Sequence, residues 1–369
     1  VAPYSAHPSF NKAAHYLGME VVRVPCRDDY RADVDALAAA ITDDTVMLVG
    51  SAPPYPHGLV DSITEIGALA QERGLWLHVD ACVGGFLIPF LKKLGMDVPD
   101  YDLNVPGVCS LSADLHKFGF TPTGVSTISL KDAAHVAHHT FAFDDWPYGN
   151  YTVDVFPGSK SAMMIAAAWA VMKHLGEDGY LNVARGLLET QAQLVAGVEA
   201  IDGLRLLTQP EAGIVVYTSD EFDIKAVAEG LTERGHAIGV VKDPPAIHHL
   251  MEPVEDDRFV NAYLACLTEI VAEVRSGKRT AKELYLDGSE VWEEILNAVP
   301  LEDRPKVDPL SGRGLVYRDD SYHWQGAVQD RRHYRRYCFG HRRLPRHWYV
   351  QPWPPGDPGY AVSVHHLLG

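Results

Sequence analysis

Between residues 45 and 130, short β-branched and apolar runs alternate with stretches of helical periodicity, and that alternation leaves few architectures open. Residues 45–50 and 76–80 read as strands, and residues 61–73 between them as an amphipathic helix stopped at Gly74. Upstream, residues 10–17 read as a helix ending at Gly18, residues 19–24 as a strand and residues 33–41 as a helix. Strands joined through helices of about a dozen residues run parallel, and the helices then cover both faces of the sheet. Such sheets bind ligands outside the carboxyl ends of their strands. The expected fold is α/β, mostly parallel, and its chemistry is expected just past the strand ends.

Two strand ends carry that chemistry. Trp76-Leu77-His78-Val79 delivers Asp80, and Gly107-Val108-Cys109-Ser110-Leu111 runs through Ser112-Ala113-Asp114 into His116-Lys117. Taken singly, Asp80 reads as a turn or helix cap and Lys117 as a solvated charge. Together, each after a buried strand, they supply what pyridoxal 5'-phosphate (PLP) requires. A lysine amine forms a Schiff base with the cofactor aldehyde, and a carboxylate pairs with the protonated pyridine nitrogen, so that the ring accepts the electrons left on a substrate carbon. At an effective dielectric of about 20 a close ion pair contributes on the order of 4 kcal/mol before screening, enough to keep the ring protonated at neutral pH.

Further motifs fall in order along the chain. Ser5-Ala6-His7 with Phe10-Asn11-Lys12, then Pro53, Pro56-His57-Gly58, His78-Val79-Asp80-Ala81-Cys82 with Gly84-Gly85-Phe86, and Ser112-Ala113-Asp114 with His116-Lys117 are followed by Asp145-Trp146, Gly158-Ser159 and Pro244-Pro245 with Ile247-His248. Over about residues 2–280 this set resembles the group II PLP-dependent decarboxylases, and within them the sphingosine-1-phosphate lyases. The resemblance implies a fold-type-I (aspartate-aminotransferase-like) enzyme and a homodimer whose sites draw on both subunits. It makes Lys117 the Schiff-base residue and Asp80 the pyridinium partner. His7 would stack on the ring and move protons, His116 contact the cofactor phosphate, and Cys82 lie under the ring. Gly158 and Ser159 would reach across the dimer interface toward the substrate.

Two positions depart from the lyases. Thr123 stands where they carry a lysine for the substrate phosphate, and Gly158-Ser159-Lys160-Ser161-Ala162 stands for their Gly-Ser-Arg-Pro-Gly. A threonine brings a hydroxyl without charge, and a lysine brings a point charge in place of a planar fork. The departures favour another amino acid over a sphingoid phosphate, whereas overall similarity favours retro-aldol cleavage of a phosphorylated long-chain base to an aldehyde and phosphoethanolamine. The alternatives are L-amino-acid decarboxylation, and a catalytically inactive fragment. The chain opens at Val1-Ala2-Pro3-Tyr4 with a working motif close behind, so a preceding segment is expected. In the resembled family that segment holds the Gly-rich cradle of the cofactor phosphate and, in eukaryotic lyases, a membrane anchor.

Downstream, residues 162–175 form an almost continuous apolar run, read as a core helix, and residues 181–201 a long amphipathic helix. Strands at 204–207, 213–217 and 237–241 with helices at 222–234 and 256–274 suggest a smaller α/β sandwich. The expected organisation is a large PLP-binding domain over residues 1–175, a linking helix and small domain over 176–280, and an atypical, poorly ordered extension over 281–369. In that extension basic and aromatic residues, such as Arg331-Arg332-His333-Tyr334-Arg335-Arg336, follow neither period.

Charge and cysteines exclude other classes. A net charge of −17 repels nucleic acid and anionic membranes. There is no uncharged apolar run of about 18 residues, so no membrane segment is expected in this chain and the default compartment is cytoplasmic. The five cysteines, Cys26, Cys82, Cys109, Cys266 and Cys338, form no CxxC pair, which argues against a disulfide framework or a zinc site. His138-His139 and His248-His249 have no carboxylate or cysteine at ligand spacing and read as surface or pocket histidines; no metal is expected. The expected partners are a small amino-acid or amino-alcohol substrate and a second copy of the chain.

Overall fold

The computed structural model describes residues 1–281 apart from Lys160 and Val254. The Lys160 substitution and the extension beyond residue 281 lie outside the described residues.

The chain opens with β1 (Ala2–Pro3), α1 (Ser9–Leu17), β2 (Arg23–Val24), α2 (Val34–Ala39) and β3 (Met47–Ser51). It continues through α3 (Ile63–Arg73), β4 (Trp76–Asp80), α4 (Ile88–Lys93), β5 (Val108–Ala113) and β6 (Thr127–Leu130). The expected strand at 19–24 is reduced to two residues. Left-handed Gly18 caps α1, and the Met19 amide turns back to the Ala14 carbonyl, which occupies the first residues of that run. The main sheet has the order β3-β4-β5-β6, with β3, β4 and β5 parallel and β6 antiparallel at the far edge. Beside β3, the Val1 ammonium donates to the Met47 carbonyl at 2.7 Å and the Val49 amide to the Val1 carbonyl at 3.2 Å, so β1 extends the same layer.

The face of the central strands that α3 covers is apolar, whereas the opposite face carries His78 and Ser110, hydrogen-bonded at 2.8 Å. Leu48, Leu77 and Val79 are fully buried, as are Ile63 and Ile66 of α3 against them. Each such side chain contributes on the order of 2 kcal/mol when buried. Gly74, left-handed, ends α3 one residue before Leu75 and the start of β4.

Next come α5 (Ala133–His139), the antiparallel ribbon β7 (Phe141–Phe143) and β8 (Tyr151–Val153), and α6 (Ala162–Glu199). The two helices expected at 162–175 and 181–201 join end to end, with non-helical backbone at Gly176 marking the junction. The apolar run 162–175 does not form core. Of its residues only Ala168 is buried, while Met163, Trp169 and Met172 are exposed. Then follow β9 (Arg205–Leu206), β10 (Ile214–Thr218), α7 (Ile224–Glu233), β11 (Gly239–Lys242), β12 (Pro245–Leu250) and α8 (Asp257–Arg275). The second sheet is antiparallel, ordered β11-β12-β10-β9, with α7 and α8 packed in one core with β10 and β12. Strand β12 was not expected. Its first residue is a proline, a position where the missing N–H is tolerated. His248 and His249 sit on β12 and are buried, not superficial.

The β3–α3 connection ties distant segments together. Asp61, fully buried, accepts from the Ala32 and Ser51 amides, each at 2.7 Å. Arg31 pairs with Glu211, whose Oε2 also accepts from the Val60 amide at 2.8 Å. Thr208 Oγ1 donates to the His57 carbonyl at 2.9 Å, and the His57 ring stacks on Tyr30 with centroids 4.7 Å apart. Neither ring nitrogen of His57 has a hydrogen-bond partner among the described residues.

Burial, aided by nearby His248 and opposed by Asp243, lowers the His57 imidazole from 6.5 to about 4. The unfolded chain therefore binds the extra proton first as pH falls. Stability is retained above the unfolded value and lost as pH drops from about 6.5 toward about 4, by about 3 kcal/mol in all. Asp61 has the opposite sign. Burial raises its carboxyl from 3.8 to about 6 against the pull of the two amides and Arg31, so its share is present at low pH and lost as pH rises through about 6. Between pH 4 and 6 the two slopes offset each other. His57→Phe keeps the ring against Tyr30 and removes one slope. Urea unfolding is expected to show the variant gaining about 3 kcal/mol on the parent between about pH 7 and about pH 4. A constant difference across that range would mean His57 is not a buried neutral base.

Candidate active site

Strand β4 ends in Asp80, and the chain must then turn sharply over the sheet edge. Gly84 and Gly85 make the turn possible. A Cβ on Gly84 would lie 2.2 Å from the Ala52 carbonyl oxygen, and one on Gly85 would lie 2.5 Å from the Ala113 Cβ. The turn is thereby pressed between the carboxyl ends of β3 and β5. Strand β5 and this turn are interlocked by backbone bonds: the Ala81 amide donates to the Ser112 carbonyl at 3.0 Å and the Asp114 amide to the Cys82 carbonyl at 3.2 Å.

Asp80 Oδ1 accepts from the Cys82 amide at 3.1 Å and from Ser112 Oγ at 3.2 Å. Oδ2 has no hydrogen-bond partner among the described residues. Burial and the Asp80 charge push the Cys82 thiol well above its usual range, so it stays protonated, and Sγ donates to Ser112 Oγ at 3.3 Å.

Around Lys117 a second group converges on Asp114. Its Oδ2 lies 3.0 Å from Lys117 Nζ and 3.6 Å from His116 Nε2, while Oδ1 accepts from the Ser126 hydroxyl. Burial pushes the Asp114 carboxyl up, but the Ser126 hydrogen bond and the Lys117 ammonium more than reverse it and leave the carboxyl below its ordinary value. His116 Nδ1 donates to the Val125 carbonyl at 2.7 Å, which puts a proton on Nδ1 and leaves Nε2 on the Asp114 side. Phe120, three residues past Lys117, has a φ of 59°, a left-handed conformation that a side chain adopts at a cost of order 1 kcal/mol.

Asp80 and Cys82 are thus joined directly, His116 and Lys117 meet through Asp114, and the backbone bond from Asp114 to Cys82 connects the two groups. His7 lies past the carboxyl end of β1, exposed, with Nδ1 2.9 Å from Ser9 Oγ. Its loop is organised by Arg23, whose guanidinium donates to the carbonyls of Pro3 at 3.0 Å, Ala6 at 2.6 Å and His7 at 3.3 Å, and also to Asn11 Oδ1. Thr123, Gly158 and Ser159 are exposed, and no hydrogen bond among the described residues joins them or His7 to Asp80 or Lys117. Ser112, Asp114, Ser126 and Arg23 were not singled out from the sequence. Two of them lie inside the quoted Ser112-Ala113-Asp114 motif, so the motif was the available signal.

The donor set suits PLP. A carboxylate with one free oxygen ends one strand, and an amine follows the neighbouring strand. The ring nitrogen and the aldehyde need those two partners.

Relatives agree with this chemistry. A sphingosine-1-phosphate lyase of Arabidopsis thaliana is 38% identical over 280 residues, which is 75% of this chain and 51% of that protein. A probable L-tyrosine/L-aspartate decarboxylase of Methanothermobacter thermautotrophicus is 33% identical over 254 residues, 69% of each chain. The chain spans about half the length of the sphingosine-1-phosphate lyases it matches. The solved structure of a Burkholderia pseudomallei sphingosine-1-phosphate lyase superposes with a TM-score of 0.73 at 37% identity, covering 80% of this chain and 66% of that one. A Lactobacillus brevis glutamate decarboxylase, 19% identical with a TM-score of 0.64 over 74% of this chain and 65% of its own, shares the fold. The fold is that of the type I PLP enzymes, as the sequence led us to expect. The family model described as the pyridoxal-dependent decarboxylase conserved domain matches residues 1–219, more than half of the 369, and the chain belongs to that family, with PLP as its cofactor.

Proposed function

We propose that this chain is the catalytic part of a PLP-dependent carbon–carbon lyase acting on a phosphorylated long-chain base. The observation that carries the reading is the placement of Asp80 at the end of β4 and of Lys117 just past the end of the neighbouring β5, in a chain 33–38% identical to sphingosine-1-phosphate lyases. When bound, PLP supplies an electron sink for the bond that breaks. Asp80, through Oδ2, would hold the ring nitrogen in its protonated form. Lys117 would hold the cofactor aldehyde, and Asp114, 3.0 Å from Nζ, would be the fixed negative charge that orients the amine. His116 would donate to the cofactor phosphate through an Nε2 carrying a second proton, and His7, on the Arg23-braced loop, would stack on the ring and move a proton at the substrate carbon.

The ribbon β7–β8 and the first half of α6 support a homodimer. Phe141, Trp146, Tyr148, Phe156, Met163 and Trp169 are all exposed, Tyr148 at 89%. A soluble monomer rarely leaves so contiguous a run of large apolar side chains uncovered. Gly158 and Ser159 lie in the same stretch and would reach the partner's site. A chain that sediments as a monomer at micromolar concentration would remove this part of the reading.

Decarboxylation of an L-amino acid is the second reading, favoured by Thr123, which is exposed and offers no charge to a substrate phosphate. Product analysis decides between them. With a phosphorylated long-chain base the expected products are a long-chain aldehyde and phosphoethanolamine, with no carbon dioxide. Carbon dioxide from an L-amino acid, with no aldehyde from the long-chain base, would reverse the assignment.

A further inference from the structure

The parallel pairing of β4 with β5 slips by one residue between Leu77 and His78: Leu77 stands opposite Val108, but Asp80 stands opposite Ser112. Without the slip Asp80 would face Leu111. The slip therefore places a hydroxyl beside the carboxylate. A carboxylate only accepts hydrogen bonds, so Ser112 spends its one proton on Asp80 Oδ1, 3.2 Å away. Its oxygen is then left as an acceptor, and the Cys82 thiol donates to it at 3.3 Å. The Cys82 amide closes the ring onto the same Oδ1 at 3.1 Å. Both hydrogen bonds to the carboxylate converge on one oxygen.

We propose that Ser112, oriented by the Cys82 thiol, is a positioning residue for the cofactor. It stops rotation of the Asp80 carboxylate, saturates Oδ1 and presents Oδ2 to the ring nitrogen. The proposal rests on the reading of Asp80 as the partner of that nitrogen. It gives Cys82 a directional part, the orientation of the serine hydroxyl, beyond merely occupying space under the ring. The same ring makes the carboxylate and the lysine-bearing segment one rigid piece, because Ser112 and Asp114 lie on the strand end that leads to Lys117.

The test uses the full chain and the variants Ser112→Ala, Ser112→Thr, Cys82→Ala and Asp80→Asn, each first checked for a cooperative thermal transition. Without cofactor, the S–H stretching band of Cys82 is identified by its loss in Cys82→Ala. It is expected to move to higher frequency in Ser112→Ala and to return in Ser112→Thr. With added PLP, Ser112→Ala is expected to bind about tenfold more weakly, the usual cost of one charge-assisted hydrogen bond. The pH midpoint of the visible band should also rise, because a carboxylate stripped of a donor shows more negative charge to its neighbours and favours their protonated forms. Ser112→Thr should restore both, whereas a purely structural serine would leave the midpoint unmoved. Cys82→Ala should show a smaller loss in the same direction, and it decides the matter if Ser112→Ala does not fold. An unshifted S–H band, or unchanged affinity and midpoint in Ser112→Ala while Asp80→Asn loses the visible band, would overturn the proposal and leave Asp80 in its role. Unchanged binding in Asp80→Asn, or no PLP uptake by the parent, would remove the reading of the site itself and this proposal with it.

Discussion

Lys117→Ala is expected to abolish the visible band that the parent chain develops with PLP and to lower turnover on the order of 10⁴-fold or more, since among the described residues no other lysine amine pairs with Asp114 to take the covalent role. The fold should survive. Lys117 contributes one ion pair with Asp114 at 3.0 Å, and its side chain is 37% exposed, so solvent screening leaves under about 1 kcal/mol at stake. The substitution also relieves Asp114 of its closest cation, and the apo-protein should melt within a few degrees of the parent. Absorption spectra with and without PLP, taken beside a melting curve, check both halves. A visible band that persisted in Lys117→Ala would place the Schiff base on another lysine.

The second large effect is on stability and comes from a position with no chemistry of its own. In Gly84→Ala the new methyl carbon would meet the Ala52 carbonyl oxygen at 2.2 Å and Ile88 Cδ1 at 2.4 Å. The Ile88 side chain can turn away, but the carbonyl belongs to a backbone already held by its neighbours, with the Ala52 amide donating to the Asp80 carbonyl at 2.8 Å. Nor can the turn retreat freely, because the Gly84 carbonyl accepts the Leu87 and Ile88 amides that start α4. The expected cost is about 3 kcal/mol, the upper part of the range for overpacking. At about 2.1 cal/mol/K of unfolding entropy per residue, that is a fall of roughly 4–5 °C in Tm for a chain of this size. Gly186→Ala is the control. It lies in α6 with nothing within 4 Å of the added carbon, and it should be neutral or stabilising by up to about 1 kcal/mol. Equal melting of Gly84→Ala and the parent would show that the β3 end is free to move.

Which features were legible in the sequence follows from what each depends on. Asp80 and Lys117 could be found because each follows an apolar run whose period and length are local properties. The roles of Ser112 and Asp114 depend on which residue of β5 faces which residue of β4, and a one-residue slip between Leu77 and His78 decides that. Such a slip leaves no mark on composition. The run 162–175 was misjudged for a related reason. Apolar periodicity shows that a face avoids water, but the same pattern serves a core and a face covered by another molecule. His248 and His249 were taken for surface or pocket groups because no ligand spacing surrounds them in the sequence, yet both are buried, His248 against the Tyr55 carbonyl at 2.8 Å and His249 against Glu255 at 2.9 Å.

The contacts of the β3–α3 connection also set an order of events during synthesis. The groups that cover this loop, Thr208 on the His57 carbonyl and Glu211 on the Val60 amide, each lie 151 residues further along the chain. At 5–20 residues per second, a ribosome needs on the order of ten seconds or more to deliver them. For that interval His57, Val60 and the Arg31 guanidinium lack partners they have in the finished molecule, although Asp61 can already find the Ala32 and Ser51 amides. The nascent first half therefore emerges with these polar groups beside the carboxyl end of β3 bonded to water, and they exchange that water for Thr208 and Glu211 only when the second half arrives.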